Sequence, residues 1–403
     1  MVSLSFPHEA ISLTSENWEK TMKNKGLYII CAILMVILGL SDALRGIFTP
    51  LFTEVFGFSM SQVGFIVSAS YLGNLVCLLF GGVILDKIGR KKAMAIFVVA
   101  LAISELILLG GRVYFLLVLG FFLALGISTL LNTTMNLLSD SFSATKSLML
   151  LNALFFLQGI GTAGSQFILS RFSSDVRVWN GVLIAMAVLL VPICFAITRL
   201  RAEGSSEKKN EEEIPDNGIK KLQMFPIAMV TLSLGFYLIA EHGLTNYLIM
   251  YGTEQLKLTA AAAGLGLSLY SAGIMVGRLV IGQFVDKVGA RKMLLLSLIT
   301  AFVVTAAVFG TGILPLLFLT GLAVSIVYPT TVALVRKYAP SSLGARATTA
   351  VVSAASILDV VFNAIFGSAI DRFGYGASMP VLCVAIAVAA VFMLLTGSDK
   401  KRA

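Results

Sequence analysis

The chain has 403 residues, 58% of them hydrophobic and only 13% charged, with a mean hydropathy of +0.93. A water-soluble domain of this length could not hide so much apolar surface, so the bilayer is its solvent. The net charge of +9 is spread without the basic, aromatic-interleaved face that nucleic acid requires, which excludes that partner. The four cysteines (Cys31, Cys77, Cys194, Cys383) sit inside apolar runs without metal-ligand spacing and read as small core residues. The sequence holds no Walker motif, metal cluster or nucleophile constellation. No enzyme and no cofactor are expected, and any work the protein does draws on gradients.

In chain order, residues 1–25 form a polar tail without the apolar stretch of a cleavable signal. Apolar runs of about 20 residues, long enough to cross a bilayer, follow near 26–52, 62–85, 91–109, 114–137, 147–170 and 180–198. A charged, Gly/Ser/Pro-containing linker occupies 199–223. A second series lies near 224–251, 263–285, 293–311, 314–335, 347–370 and 377–396, before a short tail at 397–403. The expected fold is an all-α membrane protein with twelve transmembrane helices in two pseudo-symmetric six-helix bundles, 26–198 and 224–396. With the N-terminus inside, cytoplasmic segments hold 23 of the 30 Lys and Arg, and the external loops hold 5: Arg112, Arg171, Arg177, Lys257 and Arg372. That bias predicts cytoplasmic N- and C-termini.

Two loops read alike. Gly82-Val-Ile-Leu-Asp86-Lys87-Ile-Gly89-Arg90-Lys91-Lys92 recurs 200 residues later as Gly282-Gln-Phe-Val-Asp286-Lys287-Val-Gly289-Ala290-Arg291-Lys292. A duplicated loop at half the chain length points to a duplicated fold with its site at the repeat interface. A third copy, Gly367-Ser-Ala-Ile-Asp371-Arg372-Phe373-Gly374, closes the eleventh span at its external end. A weaker relative, Gly164 to Arg171-Phe172, closes the fifth. Copies on both sides of the membrane suggest inverted three-span repeats within each half.

An ionisable side chain deep in a span costs about 2.5–3.5 kcal/mol on insertion scales unless a cavity or partner receives it. Asp42 and Arg45, three residues apart, are either a self-neutralising pair or a charged cavity wall. Glu241, near-symmetric with Asp42 across the halves, is the leading carboxylate for a proton or a solute hydroxyl; its alternative is a hydrogen-bonded structural carboxyl. His242 reads as its neighbour without a role and Glu105 as structural or interfacial. Arg278 either snorkels inward or pairs across the repeat. Ser353, Ser356, Asp359 and Asn363 make one polar stripe on span eleven, with Gln158 as its counterpart on span five. Asn132 and Asn136 present paired amides suited to sugar hydroxyls, with interhelical glue as the alternative. Tyr247, Tyr251, Tyr270 and Tyr328 offer a sugar platform or ordinary packing. Trp18, in the tail, and Trp179, placed at the outer interface, are not expected to supply that platform. Asn132, Asn136, Gln158, Asp359 and Asn363 are expected to converge with Asp42 and Glu241 on one central cavity.

The paired loops, twelve spans and central linker resemble the major facilitator superfamily. The resemblance implies that Gly82, Asp86, Lys87, Gly89 and Arg90, with Gly282, Asp286, Lys287, Gly289 and Arg291, close the cytoplasmic side; the plainer reading is that Asp86 and Lys87 cap and solvate a turn. Ala290 stands where the second loop's pattern has arginine. A narrower resemblance is to the fucose/glucose–proton symporter group. It rests on Asn132-Thr-Thr-Met-Asn136, on Leu151-Asn152 with Gln158 and Gly161, and on Tyr237, Glu241 and Tyr247. Asn132, Phe155 and Tyr247 stand where that group has glutamate, glutamine and tryptophan. The expected solute- and proton-handling set is Asp42, Arg45, Asn132, Asn136, Asn152, Gln158, Glu241, Asn246, Tyr247, Tyr270, Asp359 and Asn363. Span five carries Gly159, Gly161 and Gly164 without a proline, unlike drug antiporters of the superfamily. What the resemblance implies is a monomeric secondary transporter in the cell membrane, taking up a sugar or similar polyhydroxylated solute with protons. A uniporter or proton-driven exporter of another small organic solute is the alternative. A non-transporting sensor is a further one, against which the short soluble segments argue.

Overall fold

The computed structural model describes residues 24–139, 142, 147–199, 223–340 and 343–397. The tail with Trp18, most of the linker and the side chain of Asp86 lie outside them. The described residues are helical with no strand. The first half contains α1 (Lys25–Ile47), α2 (Met60–Ile88), α3 (Arg90–Leu108), α4 (Tyr114–Leu138), α5 (Ser147–Leu169) and α6 (Val176–Arg199). The second contains α7 (Met224–Met250), α8 (Ala260–Val280), α9 (Ala290–Thr311), α10 (Leu317–Val324), α11 (Val327–Tyr338), α12 (Gly344–Ser378) and α13 (Val381–Leu395). Among the described residues ten helical segments are long and apolar enough to cross a membrane. Helix α3 falls outside that count because Arg90, Lys91, Lys92 and Glu105 charge its 19 residues, and α13 because it has only 15.

Local structure repeats at the 200-residue interval of the loops. Ser59 caps α2 by accepting from the Gln62 N–H, and Thr259 caps α8 by accepting from the Ala262 N–H. The helices before them, α1 and α7, each end in a π-helical turn, Leu51–Val55 and Tyr251–Gln255. Gly89 and Gly289 sit at φ of 83° and 95°, where an L side chain is strained, and each ends one helix while starting the next. The copies differ in one respect. Helix α2 runs unbroken into its loop, whereas α8 stops at Val280 and continues as a 3₁₀ turn, Gly282–Phe284, and a helical turn, Val285–Val288. The apolar run at 314–335 is likewise two helices, α10 and α11, separated at Ser325–Ile326.

The halves meet along α2 against α12 and along α5 against α8. At the end remote from the paired loops the contacts are close. Gly46 of α1 abuts α7 so tightly that a Cβ there would overlap the Thr245 carbonyl oxygen. Thr49 donates to the Asn246 carbonyl at 3.2 Å, and Ser268 of α8 donates to the Ala163 carbonyl at 2.7 Å. The third loop copy joins this seal. Asp371 accepts from the Met60 N–H at 3.0 Å and the Ser61 N–H at 2.7 Å, so a carboxylate of one half caps the helix that opens α2 in the other. Trp179 is not at an interface but fully buried, edge-on to Phe48 and Phe52 at 5.0 and 5.4 Å. Phe48, Phe52 and Phe121 of α4, the last with its centroid 6.2 Å away, enclose the indole.

The seal depends on the missing side chain at Gly46. In a variant lacking the four native cysteines, Thr49→Cys (Thr49 is fully buried) is expected to resist an impermeant maleimide, and adding Gly46→Ala to raise its labelling several-fold. Equal labelling with and without Gly46→Ala would show that α1 and α7 do not close on this contact.

Candidate functional site

On the loop side of the seal a cavity of about 340 Å³ opens between the halves. That size lies at the lower end of small-molecule sites, about 300–1,000 Å³. Helix α1 contributes Asp42 and Arg45, α5 contributes Gln158, and α7 contributes Glu241, His242 and Asn246. Tyr71 and Asn74 of α2 and Arg278 of α8 add to the polar wall, as do Thr162, Gln166, Thr245 and Ser271. The spacing explains the grouping. Asp42 and Arg45 share a face of α1, and His242 and Asn246, four apart, share a face of α7.

Asp42 and Arg45 do not neutralise each other directly. Asp42 accepts from Gln158 Nε2 at 3.3 Å and Ser128 Oγ at 3.5 Å. Arg45 is 5% exposed, lies 5.1 Å from the centroid of the Tyr71 ring, and leaves its Nε without a partner among the described residues. Gln158 is held where it reaches Asp42 because α5 packs along α1, Thr162 Oγ1 donating to the Gly39 carbonyl at 3.1 Å.

Across the cavity His242 takes a part the sequence did not assign to it. Its Nδ1 lies 2.6 Å from Asp359 Oδ2, and its ring stacks on Tyr71 with centroids 4.0 Å apart and planes 12° apart. Asn363 donates to Asp359 Oδ1 at 2.9 Å, and Asn246 donates to the Tyr71 hydroxyl at 3.0 Å. The polar stripe of span eleven therefore faces inward yet stops short of the cavity, since Asp359, 1% exposed, ends on His242. One chain of contacts runs from Arg45 and Tyr71 in the first half to His242, Asp359 and Asn363 in the second.

Several expected members stand apart. Asn132, Asn136 and Asn152 do not line the cavity, and Asn136 and Asn152 are exposed. Tyr247 and Tyr270 are buried in helix packing, Tyr247 against Phe366 at 5.1 Å. Glu105 is fully buried outside the cavity and accepts from Ser41, the neighbour of Asp42, at 2.7 Å. The larger depression around Arg171–Arg177, about 610 Å³, is a shallow surface feature at the sealed end.

At the loop end, Arg90 donates to the Leu137 carbonyl at 2.8 Å, tying its loop to the end of α4. Lys91 and Arg291, 200 residues apart, do the same work in their own halves. Lys91 reaches the Thr198 carbonyl at the end of α6 (3.4 Å), and Arg291 reaches the Leu394 carbonyl at 2.7 Å and Thr396 Oγ1 at 2.9 Å at the end of α13. Cations on helix C-termini are favourable with the helix dipole. Gly82, Asp286 and Lys287 are exposed, while Gly282 and Gly289 are half-buried.

An all-helical chain whose two repeats face each other across a central polar cavity is the architecture of a multi-pass membrane transporter. A sequence profile of the Major Facilitator Superfamily matches residues 31–357. The chain belongs to that superfamily and is a transporter, not an enzyme. A curated relative, the 4-hydroxybenzoate transporter PcaK of Pseudomonas putida, is 25% identical over 178 residues; the match covers 42% of this chain and 37% of that protein. The crystal structure of the nucleoside transporter NupG (D323A mutant) superposes with a TM-score of 0.77 at 12% identity, over 92% of this chain and all of that one. The transporter FucP, in the outward conformation, does so with a TM-score of 0.61 at 16% identity, over 94% of this chain and all of FucP. At these identities the two structures establish the fold.

The His242–Asp359 contact yields a stability test. Asp359→Ala leaves buried donors without their acceptor, a loss of about 1–3 kcal/mol, and is expected to lower the unfolding temperature of the detergent-solubilised protein. The double variant with His242→Ala is expected to lose less than the two single variants together, by at least about 0.5 kcal/mol. Strictly additive losses would show that the two side chains do not interact.

Proposed function

We propose that the chain is a secondary transporter that works by alternating access and carries a small, polar, hydroxyl-bearing solute, a sugar or similar compound, into the cell together with protons. It does so as a monomer in the cell membrane. In this reading twelve spans form two six-helix bundles, 26–198 and 224–396, and the 199–223 linker and both termini face the cytoplasm. The observation that carries the proposal is the cavity on the loop side of the seal, walled by Asp42, Arg45 and Gln158 from one half and Glu241, His242 and Asn246 from the other. With the basic loops cytoplasmic, it is the site in its inward-open form, and the paired loops, Asp86 included, close behind the solute in the opposite form. Amide and carboxylate groups suit hydroxyls, and the 4-hydroxybenzoate named for the relative PcaK is itself a hydroxylated small solute.

Glu241 and Asp42 are the proposed proton carriers. Both line the cavity, and neither lies within ion-pairing distance of a cation among the described residues. A carboxylate that meets solute from both halves exchanges its proton with whichever side is open.

Counterflow in proteoliposomes against a panel of sugars and hydroxylated acids, with and without a pH gradient, tests this. The expected result is exchange of at least one solute and gradient-driven accumulation of the same solute. Glu241→Gln is expected to retain exchange while losing at least tenfold of the accumulation. Accumulation unchanged in Glu241→Gln removes the proton role from that residue, and exchange indifferent to the gradient makes the protein a uniporter.

A further inference from the structure

We propose that the solute carries a carboxylate and that Arg45 is its receptor, an inference that rests on reading the cavity as the transport site. Arg45 is the reason. A guanidinium keeps its charge at any relevant pH and presents five N–H donors in a planar fork. Burying such a group without an anion and hydrogen-bond acceptors is costly, more so among apolar helices. Arg45 is nine-tenths buried and forms part of the cavity wall, yet it donates no side-chain hydrogen bond to any described residue. Its neighbour Asp42, one turn away, spends its oxygens on Gln158 and Ser128. The Tyr71 face supplies a cation–π contact but accepts no hydrogen bond from the fork.

A fork with unused donors at the wall of a solute-sized space is complementary to a group with two coplanar oxygens, and a carboxylate takes it bidentately. The remaining wall sets the rest of the solute. Asp42 and Glu241 stand on the same cavity and repel a second negative charge, so a monoanion is favoured over a dianion or a phosphate ester. Gln158, Asn246 and the Thr245 hydroxyl offer polar contacts to hydroxyls beyond the carboxylate. Arg278, exposed on the loop side of the same cavity, places a second positive charge on the way to Arg45. The class is therefore a small hydroxylated monocarboxylic acid.

The test pairs acids with uncharged counterparts: galacturonate with galactose, gluconate with sorbitol, 4-hydroxybenzoate with 4-hydroxybenzamide. Ligand-induced thermal stabilisation and counterflow are read on the unaltered full-length protein. At least one acid is expected to bind and exchange, with its neutral counterpart at least tenfold weaker. Arg45→Gln is expected to weaken that acid about a hundredfold, and Arg45→Lys less, since an ammonium keeps the charge but not the fork. Binding of neutral members as well as acids, binding of no acid at all, or acid binding unchanged in Arg45→Gln overturns the proposal. The comparison of acid with counterpart stands even if Arg45→Gln does not fold. Exchange of neutral solutes indifferent to Arg45 leaves the transport reading intact while this inference falls. Arg45-dependent acid binding with no translocation does the reverse.

Discussion

Polar groups placed inside apolar helices must find their partners within the protein, because lipid offers none. In this chain that constraint is met by a shared arrangement between the halves. Tyr71 of α2 receives the His242 ring on its π-face and the Asn246 amide on its hydroxyl, while His242 holds Asp359 and, through it, Asn363. Remove the partnership and both halves are left with buried polar groups. It therefore ties the inner faces of the repeats together beside the cavity. Arg45, set against the Tyr71 ring, leaves its Nε without a partner among the described residues.

Closure at one end follows from backbone geometry. Gly46 lets α1 meet the Thr245 carbonyl, Thr49 adds a hydrogen bond to the next residue, and Asp371 caps α2 from the opposite half. At the loop end Arg90, Lys91 and Arg291 each reach a carbonyl of their own half, at the ends of α4, α6 and α13. Among the described residues the hydrogen bonds named at the remote end join the two halves, and those named at the loop end lie within one half. The cavity lies on the loop side of the seal.

Much of this was legible in the sequence because a tandem repeat keeps its local geometry. The loop glycines Gly89 and Gly289 share one conformation, as the matched motif requires, and the third copy at Gly367–Gly374 has a structural partner in the N–H groups of Met60 and Ser61. Helix faces were less legible. A spacing of four says that Asn132 and Asn136 share a face, but not whether that face reaches the cavity, and here neither side chain lines it. The Asp359–Asn363 face does turn inward, and is covered by His242. Sequence pointed to Glu241 and passed over its neighbour. The four-residue step from His242 to Asn246, the same spacing used to pair the asparagines of α4, was the signal that could have found it. Tyr71 and Asn74, three apart on α2, carried the same kind of signal as Asp42 and Arg45, a shared helix face, without a charge to draw attention to it.

The central claim is that the seal at the end remote from the loops must open for solute to cross. Thr53 of α1's extension lies 3.8 Å from the Met250 sulfur of α7. In a variant without native cysteines, Thr53→Cys with Met250→Cys can be joined by oxidation in proteoliposomes. The account predicts that the cross-link abolishes counterflow, that reductant restores it, and that solute binding from the loop side survives throughout. Full counterflow with the cross-link in place would contradict it.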